Sequence, residues 1–363
     1  MKLLHVVGAR PNFMKAAPVI RAGRAKPGLE QVLVHTGQHY DRAMSDTFFA
    51  DLELPEADEN LGVGSGSHAE QTARVMLGFE PVLDAHRPDW VVVYGDVNST
   101  VACALVAVKK GIQVAHVEAG LRSRDRAMPE EVNRLLTDQM AHLLLTPSRD
   151  GDANLLAEGI PAHRVRFVGN VMVDTLLHLR ARARERRMAS ALGVEGREYA
   201  FVTLHRPSNV DESQPLRELL GSLDDLAKRM PVLFAVHPRT RKRITEFGMD
   251  GLLERVQLLA PLGYLETISL LDTATLVLTD SGGLQEETTV LGVPCLTARP
   301  NTERPVTITE GTNRLVPSHR AAIGQAIESV LAARQAGGFR PGQPEGWDGR
   351  AAERIITALT DPM

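Results

Sequence analysis

Thr279-Asp280-Ser281-Gly282-Gly283-Leu284-Gln285-Glu286-Glu287 follows the apolar run Leu276-Val277-Leu278. The run reads as a buried strand and the residues beyond the glycines as a helix. The stretch is therefore a strand–turn–helix unit of a parallel α/β sheet. A Ser-Gly-Gly turn sets a hydroxyl and several backbone N–H groups at a helix N-terminus. Those amides lack intrahelical partners and the helix dipole adds positive potential, so the turn suits a phosphate. Glu287 stands one turn further on, in reach of a sugar hydroxyl on the same ligand. The pattern points to a nucleotide diphosphate sugar.

The same rhythm continues in both directions. Upstream, Leu3–Val7, Gln31–His35, Trp90–Tyr94, Gln113–Val117 and Leu143–Thr146 read as strands separated by helices. After Phe167-Val168-Gly169-Asn170 a long helix is expected, to about Leu192. A second set follows: Ala200–Leu204, Val232–Val236, Val256–Leu259, Thr275–Leu278 and Pro294–Thr297. Such alternation predicts an α/β protein with two Rossmann-like domains, residues 1–168 and 169–346. A final helix, about Gly349 to Leu359 within 347–363, is expected to cross back onto the first domain. Ligands of open parallel sheets bind beyond the carboxyl ends of the strands. Gly8-Ala9-Arg10-Pro11, Gly95-Asp96, Glu118-Ala119-Gly120-Leu121-Arg122, His205-Arg206-Pro207 and Asp280-Ser281-Gly282-Gly283 all fall there. If the two domains face each other, these groups line one central cleft.

Composition narrows the class. The chain has 363 residues, more than one core usually serves. With 43% hydrophobic and 24% charged residues it is of ordinary globular type. A net charge of −4 without a long block of one sign argues against nucleic-acid binding. Arg180, Arg182, Arg184, Arg186 and Arg187 read as a solvated helix face. Cys103 and Cys295 have no metal-ligand spacing and suit a reducing compartment. The N-terminal apolar run reads as a first strand, too short for a signal peptide, and no run is long enough to span a membrane. A cytoplasmic protein is expected, with neither metal nor membrane partner.

The chemistry-bearing residues each have a plain alternative. Gly8-Ala9-Arg10-Pro11 lacks the dinucleotide fingerprint, and Gly62-Val63-Gly64-Ser65-Gly66 has the wrong spacing and reads as a loop before a helix. Arg10 and Lys15 flank a helix start, as phosphate ligands or as a surface pair. Asp96 and Glu118 each end an apolar strand, where burial would raise a carboxyl pKa toward neutral. Their alternatives are a helix N-cap for Asp96 and an ion pair with Arg122 for Glu118. Glu130 and Glu131 follow Pro129, as proton-transfer groups or as first-turn acids. His205 and His237 each follow a strand, as partners of a phosphate leaving group or as loop histidines bonded to backbone.

Together these segments resemble the non-hydrolysing UDP-N-acetylglucosamine 2-epimerases over essentially the whole chain. The resemblance is carried by Gly8-Ala9-Arg10-Pro11 with Lys15, Gly95-Asp96, His116 to Arg122, Pro129-Glu130-Glu131-Val132-Asn133-Arg134, Leu204-His205-Arg206, Thr279 to Glu287, and Thr302-Glu303-Arg304-Pro305 with Gly311-Thr312. It implies the glycosyltransferase-B architecture, no cofactor, and a UDP-sugar as partner. It further implies a reversible inversion at C2 through elimination of UDP to a 2-acetamidoglucal. By the same resemblance Asp96, Glu118, Glu130 and His205 are catalytic. Arg10, Lys15, Ser281, Gly282, Gly283, Glu287 and Arg304 bind UDP. Gln38, His39, Gln71, Glu131 and His237 match regions where some members bind a second substrate molecule as activator. A homodimer is usual among relatives. One departure stands out: Pro207-Ser208-Asn209-Val210-Asp211 replaces the Arg-Glu-Ser that best-known members carry after His-Arg. The competing readings are an epimerase of a related UDP-diacetamido sugar, a hydrolysing 2-epimerase, a glycosyltransferase of the same fold, and a sensor without turnover.

Overall fold

The structure, a computed structural model, describes residues 1–38, 51–337, 339 and 342–361, apart from the Arg10 side chain. Runs such as Trp90–Tyr94 bury every residue, which only a strand covered on both faces can do. Among the described residues they assemble into two sheets. The first holds β1 (Lys2–Val7), β2 (Glu30–His35), β3 (Glu59–Asn60), β4 (Trp90–Tyr94), β5 (Gln113–Val117), β6 (Leu143–Thr146) and β7 (Val165–Phe167), in the order β3-β2-β1-β4-β5-β6-β7. The second holds β8 (Ala200–Thr203), β9 (Val232–Ala235), β10 (Gln257–Leu259), β11 (Leu276–Thr279), β12 (Cys295–Ala298) and β13 (Asn313–Val316), in the order β10-β9-β8-β11-β12-β13. Every pairing is parallel. The α/β class expected from the sequence is what forms.

Both sheets are doubly wound. The chain moves outward from β1 and then returns to start again at β4, and it does the same at β8 and β11. Loops diverge at such switch points and leave a crevice beyond the strand ends. Gly95-Asp96 follows β4 beside the end of β1, while Asp280-Ser281 follows β11 beside the end of β8. Topology thus places two of the singled-out segments at switch points.

The chain folds as two compact units, Met1–His178 with Glu345–Met363, and Leu179–Pro344. Each has its own apolar core. The division falls inside the helix Val171–Glu185. That helix is shorter than expected: Arg187 takes φ 45, outside helical space, and a separate turn Met188–Ala191 follows. The final helix, Ala351–Thr360, packs on the helix Arg10–Arg24. Asp174 accepts the free amides of Ala351 (3.1 Å) and Ala352 (2.7 Å) at its start. Trp347 Nε1 donates to Pro147 O at 3.0 Å just before it. No helix among the described residues is long and apolar enough to cross a membrane.

Candidate active site

In the first unit, β4 and β5 end on Gly95-Asp96 and Glu118. The Asp96 side chain is 29% exposed and its Oδ2 lies 2.5 Å from Arg134 Nη1. It does not cap the helix Asn98–Lys109, whose N-cap is Val97 with no side-chain bond. Arg134 turns its other nitrogens to Glu131 Oε2, at 3.1 Å (Nε) and 2.7 Å (Nη2). Glu131 also accepts from Ser123 N, Ser123 Oγ and Arg124 N at 2.9, 3.0 and 2.8 Å. Burial alone would raise the Glu131 pKa, but these donors and Arg134 hold it below the usual range. Glu131 is thus committed to the loop that carries Ser123 and Arg124. Glu130, its neighbour, is exposed in the first turn of the helix Pro129–Met140.

Glu118 pairs with Lys15, and both side chains are only 6% exposed. Arg122, the partner expected from sequence spacing, goes instead to Asp138 (2.7 Å) and Glu158 (2.7 Å). Sequence spacing does not reveal this pair, because Lys15 comes from the helix after β1, which β4 separates from β5 in the sheet. Arg10 begins that helix, and its side chain lies outside the described residues.

Gln38 and Gln71 join the same region. Gln71 Nε2 donates to Gln38 O (3.2 Å), and Gln38 Oε1 accepts from Ser99 N and Oγ (3.1 and 2.7 Å). Asn98 Nδ2 donates to Gln71 Oε1 at 2.8 Å. Asn133 Nδ2 reaches both Asn98 Oδ1 (3.3 Å) and Asp96 O (2.9 Å). An unbroken chain of hydrogen bonds therefore links Gln38, Gln71, Asp96, Arg134 and Glu131. His39 lies outside the described residues. The loop Gly62 to Gly66 leads into the helix His68–His86, which Ser67 and Glu70 cap reciprocally.

In the second unit the organising group is Asp280, fully buried at the end of β11. Its carboxylate accepts from His205 N (3.1 and 3.0 Å), Arg206 N (2.9 Å) and Asn209 Nδ2 (3.0 Å), and pairs with His205 Nδ1 at 2.9 Å. Burial alone would raise its pKa; His205, Asn209 and the Arg206 amide hold it below the usual range. The imidazole of His205 stays 42% exposed beside the turn and stands 5.7 Å from the ring of His237. His237 caps the helix Pro238–Glu246 by accepting from Arg239 N at 3.2 Å.

Ser281 is the N-cap of the helix Gly282–Leu291 but gives it no side-chain hydrogen bond. Gly283 faces open space, whereas a β-carbon on Gly282 would meet Arg304 Nη1 and Glu303 Oε1 at 2.8 Å each. Arg304 is held by Glu286 (2.9 Å) and by Glu303, and Glu303 also by Arg299 (2.8 Å). Glu287 is buried. Burial pushes its carboxyl up to about 8, a hydrogen bond from Tyr264 opposes this, and the Glu286 charge adds to it.

Lys15, Asp96 and Glu118 thus gather at one sheet's strand ends, and His205, Ser281, Gly282 and Arg304 at the other's. Sequence reasoning left Asp280, Arg134 and Asn209 without roles. The available signal was an acid directly after an apolar strand, next to a loop that carries a histidine.

Doubly wound sheets with polar loops at both switch points place the chain among the glycosyltransferase-B-like α/β enzymes. Comparison with known proteins narrows the class. The family model described as UDP-N-acetylglucosamine 2-epimerase matches residues 21–360. The UDP-N-acetylglucosamine 2-epimerase of Methanocaldococcus jannaschii is 41% identical over 99% of each chain. A crystal structure of that organism's enzyme in complex with UDP-GlcNAc and UDP superposes with a TM-score of 0.89, at 40% identity and 99% coverage of both chains. The UDP-2,3-diacetamido-2,3-dideoxy-D-glucuronate 2-epimerase of Pseudomonas aeruginosa is also 41% identical, over 91% of this chain and 92% of its own. The chain belongs to the UDP-N-acetylglucosamine 2-epimerase family, a family of isomerases.

Proposed function

We propose that this chain interconverts UDP-N-acetylglucosamine and UDP-N-acetylmannosamine by elimination and re-addition of UDP. The observation that carries the reading is the Asp280–His205 pair beside the Ser281-Gly282-Gly283 turn. A leaving UDP gathers negative charge on its β-phosphate. Backbone amides at a helix start and a fixed imidazole are preorganised donors for that charge. Arg10 is assigned to the same task from the family pattern.

The C2 proton has no carbonyl beside it, so its removal must accompany loss of UDP. A carboxylate takes the proton, the C2–H electron pair becomes the C1=C2 bond of the glucal, and the C1–O pair leaves with UDP. Protonation of C2 on the opposite face and return of the UDP oxygen to C1 complete the inversion. Asp96, Glu118 and Glu130 supply the proton-transfer groups, with no assignment of faces. Glu287 holds a ribose hydroxyl. Lys15 holds Glu118, and Arg304, packed on Gly282, holds the turn, so both act through a neighbour.

A second reading is the diacetamido uronate, because the Pseudomonas aeruginosa relative has the same percentage identity as the Methanocaldococcus jannaschii one. Proton NMR in D₂O with each UDP-sugar tests both. UDP-N-acetylmannosamine carrying deuterium at C2 supports the main reading. Exchange with the diacetamido sugar alone moves the substrate to the second. Free N-acetylmannosamine reveals a hydrolase, and absence of exchange with either sugar overturns the epimerase reading.

A further inference from the structure

A fully buried polar contact of the first unit involves residues to which the reaction gives no part. His116, on β5, and Asp138, on the helix Pro129–Met140, are both fully buried. His116 Nε2 lies 2.8 Å from the Gly95 carbonyl oxygen, and Nδ1 lies 2.6 Å from Asp138 Oδ1. A carbonyl only accepts, so Nε2 carries a proton. The short contact on the other side needs a second proton, shared between ring and carboxylate. Asp138 thereby fixes the imidazole as a donor to Gly95. The other oxygen of Asp138 accepts from the Gly120 amide at 3.1 Å and from Arg122 Nη1 at 2.7 Å.

What these two glycines adjoin gives the contact its meaning. Gly95 immediately precedes Asp96. A planar trans peptide fixes the carbonyl of one residue and the N–H of the next together. Donation from His116 therefore sets the peptide from which Asp96 springs. Gly120 stands two residues after Glu118, and Glu118 is held at φ 72. A side-chain-bearing residue rarely adopts that conformation, and keeps it only where its surroundings fix it. One buried carboxylate thus reaches the backbone just before Asp96 and just after Glu118.

We propose that Asp138 is a positioning residue for proton transfer at C2, setting Asp96 through His116 and Gly95, and Glu118 through the Gly120 amide. The proposal rests on the reading that those two carboxylates act at C2. A core ion network without this role would cost stability and would affect substrate binding and turnover together.

Three variants of the full chain separate these cases. Asp138→Ala cuts both arms. His116→Phe cuts only the Gly95 arm and leaves Asp138 with Arg122 and Gly120. Asp138→Asn can keep every bond: its oxygen accepts from Gly120 and Arg122, and its amide donates to His116 Nδ1, leaving Nε2–H for Gly95. Steady-state epimerisation, C2 deuterium exchange, UDP calorimetry and circular dichroism are measured for each.

The expected result is a kcat lowered by about 100-fold in Asp138→Ala and His116→Phe, since misplacement of about 1 Å has that effect. KM and UDP affinity stay within about threefold, and Asp138→Asn recovers to within about tenfold of wild type. Either cutting variant folded with wild-type kcat overturns the proposal. So does a parallel fall of kcat, KM and UDP affinity that Asp138→Asn does not rescue. If only one cutting variant folds it decides alone; if neither folds, Asp138 is a stability residue and the proposal falls. A wild-type chain without C2 exchange on either UDP-sugar overturns the underlying reading instead, and takes the proposal with it before any variant is made.

Discussion

Lys15 and Glu118 meet in an ion pair across Gly95, with each side chain only 6% exposed. A β-carbon on Gly95 would stand 2.6 Å from Lys15 Nζ, and the residue takes φ 61, so glycine serves both the approach and the turn. Two charges out of water are tolerable as a pair, but one alone is not. Lys15→Met should therefore destabilise the chain by about 3–5 kcal/mol and abolish turnover. Lys15→Met with Glu118→Gln should recover most of the stability and none of the turnover. Urea unfolding beside product assay reads both; single and double variants of equal instability would show that the pair does not matter.

Glu287 makes stability depend on pH. Its carboxyl sits at about 8 in the folded chain against an ordinary 4.5. Between those values the folded state keeps a proton that the unfolded state has lost. Stability from this group is fully present below the unfolded pKa and is lost as pH rises toward 8. The slope is at most about 1.4 kcal/mol per pH unit. Glu287→Gln is neutral throughout and removes the slope. The variant should match wild type near pH 5 and exceed it by about 3 kcal/mol near pH 8, with weaker UDP binding at both. A constant stability difference across this range would show that the carboxyl is not held neutral.

The strands that decided the fold were legible because they are apolar throughout and bounded by glycine or polar residues. β7 was not: Val165–Phe167 is a part-exposed edge strand without an apolar run. β13 was not, because Asn313 and Arg314 interrupt its pattern, and β3 is only two residues long. Of the site, the positions at strand ends could be read, but not the partners. The Asp280–His205 contact depends on β8 lying beside β11 in a register that sets Thr203 opposite Thr279. Glu118 meets Lys15 because β1 and β5 both flank β4. Such pairings follow from sheet order, which periodicity does not reveal.

The two glycines of the turn should respond oppositely to the same substitution. A β-carbon on Gly283 meets nothing within 4 Å, while one on Gly282 displaces buried Arg304 and Glu303. Gly283→Ala should keep or raise stability, by up to about 1 kcal/mol, because alanine loses less chain entropy than glycine. Its methyl group points into open space, so UDP affinity should fall. Gly282→Ala should lose both. Thermal melting with UDP calorimetry checks the pair; undiminished UDP affinity in Gly283→Ala would take the phosphate away from this turn.

Asn209 lies in the stretch that departs from the family pattern, and there it supports Asp280. Its Nδ2 donates to Asp280 Oδ2 (3.0 Å) and Ala298 O (2.9 Å), while its Oδ1 accepts from Ser318 Oγ (2.8 Å). Asn209→Ala removes a donor from a buried carboxylate and should cost about 1–3 kcal/mol. Asp280 keeps its two backbone donors and His205, so the imidazole should loosen without being lost, and turnover should fall more than UDP affinity. Asn209→Asp is the sharper test. It sets a second carboxylate against Asp280, a like charge that raises one pKa of the pair. At pH 7 it should be less stable than Asn209→Ala, and the gap should close as pH falls and one carboxyl takes up a proton. Denaturant unfolding of both variants at pH 5 and pH 7 decides the matter: an Asn209→Asp chain as stable as wild type at pH 7 would mean that this contact does not hold Asp280 in place.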